Sequence, residues 1–145
     1  MFPSDEEFVK HIRDEIKLIQ QFMAGKTVDD LHTDFMLEHA VTRCLEIMGE
    51  ASRKISAEFK EFHPELPWRD MQDTRNRIIH FYFGIDHEVI MNIILAELPS
   101  LLQSIEQLII ESHQQSKSSD LLSGNTNSDD LLTQDSEEQK KGKKI

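Results

Sequence analysis

Apolar residues recur at steps of three and four along most of this chain. Phe8, Ile12, Ile16, Ile19 and Met23 step by four, four, three and four. Leu37, Val41, Cys44, Met48, Ala51, Ile55 and Phe59 carry the rhythm through a longer stretch. Such steps place one apolar stripe on a helix, whereas a half-buried strand needs strict alternation. No run of alternation bounded by turn signals occurs in the sequence. The class expected is all-α, with four or five helices.

The punctuation agrees. Ser4 and Glu7 have the spacing of a capping box, and Gly25 stops the helix they start. Thr27-Val28-Asp29-Asp30 offers a second start, and a long helix is predicted over about residues 29–62. Gly49 and Ala51 on it are small enough to admit a close neighbour. Pro64 and Pro67 break the chain, and Pro67 suits the first turn of the next helix. That helix is predicted to reach His80 or Tyr82, with Gly84 ending it and Asp86 capping a further one. The last helical region carries Val89, Ile93, Ala96, Leu101, Ile105, Leu108 and Ile109. Pro99 lies inside it, so the helix either kinks there or restarts.

From Gln114 the pattern collapses into Ser, Asp, Asn, Gln and Lys. Such a stretch buries too little to offset its ordering entropy. The division expected is a helical domain over 1–113 and a disordered polar tail over 114–145. Asp120-Leu121-Leu122-Ser123 recurs as Asp130-Leu131-Leu132-Thr133. The repeat is either chance in a low-complexity tail or a doubled docking motif.

The formal net charge is −11, which excludes a general polyanion binder. The tail holds five Lys against six Asp plus Glu, so the body carries nearly all of that charge. A nucleic-acid site here has to be a local cluster of arginines in an acidic surround. The single Cys44 permits no intramolecular disulfide. The N-terminus MFPSDEEFVK is acidic, without the apolar run of a secretory signal, and no stretch is expected to reach transmembrane length. The reading is a cytoplasmic protein with no membrane partner.

The chemistry is concentrated in Arg75-Asn76-Arg77-Ile78-Ile79-His80-Phe81-Tyr82-Phe83-Gly84. On a regular helix Arg75 and His80 are offset by about 140°. Arg77 and His80 share a face, while Arg75 points partly away. A site using Arg75 and His80 needs the helix to end near His80, or a second subunit to close the cleft. RNA hydrolysis through its own 2′-hydroxyl suits this pair, because the nucleophile is already in place and no metal is needed. Histidine can move the proton, and arginine can hold phosphate oxygens. Asn76 could orient either group or the scissile phosphate. Ile78 and Ile79 are expected to anchor the turn between them in the core. Tyr82 is either a core residue between Phe81 and Phe83 or a phenol beside the phosphate path. Glu50 is either solvated or paired with Arg75 or Arg77. His32, Glu38, His39, His87 and Glu88 lack the spacing of a metal site, and no metal or other cofactor is expected. Arg43, Arg53, Lys54 and Arg69 are read as surface charges.

Read as Arg75, His80 and Tyr82, the Arg-x4-His-x-Tyr motif resembles that of HEPN ribonucleases, specifically HepT-like toxins. LEIMGEAS at 45–52 is similar to the family's Gly-Glu-Ala segment. LPWRDMQDTRNRIIHFYFGID at 66–86 resembles its Pro-Trp approach, motif and Phe-Gly-x-Asp exit, and AELPSLLQSI at 96–105 its Leu-Pro segment. The resemblance covers about residues 5–110. It implies an up-down HEPN bundle that forms a homodimer with a composite cleft. It implies metal-independent cleavage of RNA with Arg75 and His80 as the catalytic pair, supported by Asn76, Arg77 and Glu50. It also implies a type VII-like toxin–antitoxin pair, in which an MNT-type nucleotidyltransferase antitoxin transfers AMP to Tyr82. Phe81 departs from the family, which often has a small or polar residue there. Ile78, Ile79, Phe81 and Phe83 together exceed what one short helix buries alone, which also favours a dimer. The alternative is a non-catalytic helical module that recruits substrates for a nucleotidyltransferase.

Overall fold

The computed structural model describes residues 3–124. Every regular element among them is helical, as expected. Helix α1 spans Asp5–Phe22. Its capping box is formed: the Glu7 N–H donates to Ser4 Oγ at 3.2 Å, and the Ser4 N–H donates to Glu7 Oε2 at 2.6 Å. Val9, Ile12, Ile16 and Ile19 are buried, and Gly25 supplies the positive φ, +70°, of the turn that follows.

The single helix predicted over 29–62 is in fact three: α2 (Val28–Thr33), α3 (Phe35–Lys54) and α4 (Ala57–Phe62). Side-chain caps make the breaks. Asp34 leaves the helical region with ψ 95° and accepts from the Leu37 N–H at 3.1 Å. Ile55 is extended, and Ser56 Oγ then accepts from the Phe59 N–H at 3.2 Å. The same serine ties this joint to the start of α1. Its N–H and hydroxyl donate to the two Asp5 carboxylate oxygens at 2.8 and 2.7 Å. The apolar rhythm runs through both breaks because Leu37 and Ile55 stay buried on either side of them. Periodicity alone therefore could not reveal the breaks.

Helix α5 is Trp68–His80. The indole N–H of Trp68 donates to the His63 carbonyl at 2.8 Å, and the fully buried Ser52 on α3 donates to the Trp68 carbonyl at 3.0 Å. Helix α3 is the centre of the fold and packs against both α1 and α5.

No new helix begins at Pro99. Helix α6 (His87–Asn92) passes through a π-helical turn, Ile93–Glu97, into α7, Leu98–Ser123. In the wide turn the Leu98 N–H donates to the Ile93 carbonyl, five residues back. The turn accommodates the proline ring just after it. This helical run is, by length and composition, apolar enough to cross a membrane, contrary to the sequence expectation. Its apolar residues Ile90, Ile94, Leu98, Leu101, Ile105 and Leu108 are buried in the core, while Val89, Leu95 and Ile110 are exposed.

One compact unit ends at Glu111. Helical hydrogen bonding continues to Ser123, beyond the point where the apolar pattern stops at Gln114. No proline or glycine interrupts the chain between Pro99 and Gly124. Exposed serines bond back to the preceding turn, Ser116 to the Ser112 carbonyl and Ser118 to that of Gln114. Asp120-Leu121-Leu122-Ser123 forms the end of this helix, with Leu121 and Leu122 exposed. Its second copy, residues 130–133, lies outside the described residues.

Candidate active site

Helix α5 meets α3 at Gly49. A Cβ at this position would collide with the Cβ of Arg75 and come within 2.7 Å of the Met71 carbonyl oxygen. The missing side chain is what lets the two helices approach so closely. The approach sets Arg75 beside the next residue of α3, Glu50. Arg75 Nη2 is 3.4 Å from Glu50 Oε2, and Arg75 Nη1 donates to Asn76 Oδ1 at 3.0 Å. Of the options for Glu50, the fold takes the pair with Arg75.

Glu50 is itself held. Arg53, one turn along α3, donates to both its oxygens at 2.9 and 3.3 Å, and the Lys54 ammonium lies 3.9 Å away. The hydrogen bonds from Arg53, joined by the charges of Arg53, Arg75 and Lys54, hold the Glu50 carboxyl below the usual carboxylate range. Arg53 is a surface charge, its side chain 60% exposed, that also holds Glu50. Its Glu-x-x-Arg spacing was the one local signal of this role.

Helix α5 ends where a site using both Arg75 and His80 requires. His80 is its last residue, the Phe81 N–H donates to the Arg77 carbonyl, and a turn closed by the Gly84 N–H on the Phe81 carbonyl follows. His80 and Arg77 are exposed, and neither side chain makes a hydrogen bond or ion pair with another described residue. Within one chain the fold therefore brings together Arg75, Asn76 and Glu50, but does not join His80, Arg77 or Tyr82 to them.

Two expectations about apolar neighbours change. Ile78 is buried, but Ile79 is 40% exposed. The inward line of α5 runs through Met71 and Ile78, and Ile79 lies about 100° further round the helix. Tyr82 is not a core residue. It is 75% exposed, edge-on to Phe83, with ring centroids 5.6 Å apart. Phe81 and Phe83 are exposed beside it.

Elsewhere, His87 Nε2 lies 2.7 Å from Glu38 Oε2, with the His32 ring edge-on at 4.2 Å. Among the described residues no cluster of three or more His, Cys, Asp or Glu has the arrangement of a metal site. Cys44 is buried, and its thiol is pushed up to about 12, chiefly by that burial.

Comparison with known proteins converges. A protein of Thermococcus cleftensis named a probable ribonuclease HepT is 39% identical over 105 residues, 72% of this chain and 96% of its own length. Two proteins named as candidate RNases are also similar. One, from Caldanaerobacter subterraneus subsp. tengcongensis, is 32% identical over 70% of this chain and 91% of its own. The other, from Methanocaldococcus jannaschii, is 34% identical over 70% of this chain and 84% of its own. No solved structure matches the chain. The model of the HepT-like ribonuclease family matches residues 12–108, a span that contains the Gly49–Glu50 crossing, the whole of α5 and the π-helical turn, and the chain therefore belongs to that family.

Proposed function

We propose that this protein is a metal-independent endoribonuclease that acts as the toxin of a type VII-like toxin–antitoxin pair in the cytoplasm. The observation that carries the reading is the restraint of Arg75 by Gly49, Glu50 and Asn76 on a helix that stops at His80. A guanidinium has five N–H donors, and these contacts leave Arg75 with donors to spare for two phosphate oxygens. The RNA 2′-hydroxyl gives up its proton and attacks the adjacent phosphorus. The bond to the 5′-oxygen breaks, and that oxygen leaves with a proton. His80 moves one of these protons, while Arg75 holds the charge that builds on the phosphate. Asn76 and Glu50 keep Arg75 oriented, and Arg77 adds positive charge beside the strand.

A second copy supplies the second proton carrier. The apolar surface of Phe81 and Phe83 next to the motif supports a homodimer with a cleft shared between subunits. The exposure of Tyr82 supports its role as the acceptor of AMP from a cognate MNT-type nucleotidyltransferase. In that step the phenol oxygen attacks the α-phosphate of ATP and pyrophosphate leaves. The added phosphodiester would set negative charge beside a phosphate-binding cleft. The test is cleavage of single-stranded RNA by the purified chain. His80→Ala is expected to lower the rate by about 10²–10⁴-fold with the fold intact. Arg75→Lys is expected to be severely impaired, because lysine keeps the charge but loses the fork. Wild-type activity in both variants would defeat the assignment.

A further inference from the structure

Beside Arg75 lies a cleft of about 350 Å³ built by three helices. Helix α3 lines it with a single stripe that begins at Arg43, passes through Ile47, Glu50 and Ala51, and ends at Lys54. Helix α1 contributes Phe8 and His11, and α5 contributes Arg75 and Ile79. The volume lies at the small end of ligand sites and suits one nucleotide unit.

The charges in this cleft run against those of the whole chain. Arg43, Lys54 and Arg75 line it against two carboxylates, Glu46 and Glu50. Both carboxylates are already engaged. Glu46 Oε2 is 3.2 Å from Arg43 Nη1, and Glu50 is shared among Arg53, Arg75 and Lys54. The cations at the two ends reach water, with the Arg43 side chain 71% exposed and that of Lys54 52% exposed. The floor is apolar: Phe8, partly buried against the core and edge-on to His11, together with Ile47, Ala51 and Ile79. This is the local cationic cluster in an acidic surround that a nucleic-acid site on this chain requires. Cations at the rim suit the phosphates of a strand, and an aromatic floor suits the face of one base. Only a single strand can present that face, because a duplex keeps its bases stacked.

We propose that this cleft is the subsite for the nucleotide next to the scissile phosphate. Arg43 and Lys54 take the phosphates of the single strand, and Phe8 stacks its base. The subsite rests on the reading of the chain as a ribonuclease. It adds to that reading the path of the RNA and the preference for single strands.

The test uses a fluorescein-labelled single-stranded RNA of about twelve nucleotides. Its Kd is measured on the full-length His80→Ala chain, and KM and kcat on the otherwise wild-type chain. Arg43→Gln and Lys54→Gln are each expected to raise Kd and KM about threefold to tenfold and to lower the salt slope by about 0.7. Phe8→Leu keeps apolar volume but loses the ring, and is expected to raise Kd about fivefold or more. In Arg43→Gln and Phe8→Leu, kcat is expected to stay within about twofold. Arg69→Gln, which removes an equal charge outside the cleft, is expected to change neither constant. Parental Kd and KM in Arg43→Gln and Phe8→Leu would overturn the subsite while leaving the cleavage reading intact. A fall in kcat at unchanged KM would also overturn it, since that marks a structural role. A wild-type chain that does not cleave RNA would overturn both.

Discussion

Arg75 owes its position to an absent side chain. Gly49→Ala would drive a methyl group against the Arg75 Cβ and the Met71 carbonyl, and backbone cannot yield as a flexible side chain can. The expected cost is about 1–3 kcal/mol of stability, read by denaturant unfolding, together with loss of RNA cleavage as α5 is pushed away. Unchanged cleavage would show that the crossing does not position Arg75. The lowered pKa of Glu50 sets a pH window for the same contact. The carboxylate's contribution is present above its unfolded pKa and is lost only as pH falls through the lower folded value. Restraint of Arg75 should therefore persist in mild acid. Tyr82→Phe keeps the exposed ring and removes the acceptor oxygen. Incubated with the nucleotidyltransferase and ATP, wild type should gain the mass of AMP and the variant should not. AMP on the variant at the wild-type level would place the modification elsewhere. At this scale the sequence was partly legible. The Arg75, His80 and Tyr82 spacing was visible along the chain. The partner of Glu50 was not, because it depends on how α3 and α5 cross, which no local spacing shows. The exposure of Ile79 was hidden by an apolar pair, of which only one member can face inward.

Helix identity was readable wherever the chain signals its own ends. The Ser4–Glu7 box, Gly25, the Thr27–Asp30 start and the Asp86 cap all act where the sequence placed them. The breaks at Asp34 and Ser56 are hidden in the sequence because burial continues across them, and because part of what fixes Ser56 comes from the distant Asp5. Ser56→Ala removes both the cap on α4 and the hydroxyl bond to Asp5. The expected loss is about 1–2 kcal/mol by denaturant unfolding, with cleavage retained. A neutral substitution would show that the α1–α4 tie contributes nothing. Pro99 teaches the complementary lesson. A proline inside a helical pattern reads as a kink or a restart, and here the helix does not restart but passes through a single wide turn just ahead of the ring.

For the whole molecule, the all-α class followed from periodicity, because steps of three and four leave no room for a sheet. What one chain cannot do is bring His80 to Arg75 through a regular helix, since their offset is geometric. The exposed Phe81 and Phe83 beside the motif are the surface on which a second copy is expected to complete the cleft. Sedimentation at micromolar concentration should return a dimer mass, and a Phe83→Asp variant should shift toward monomer and lose cleavage together. A fully active monomer would refute the shared cleft. The most direct measurement is product analysis of RNA cleaved by the purified protein in excess EDTA. Cleavage should survive the chelator and leave 2′,3′-cyclic phosphate or 3′-phosphate ends with 5′-hydroxyl partners, and His80→Ala should yield neither. A strict magnesium requirement, or 5′-phosphate products, would contradict attack by the internal 2′-hydroxyl.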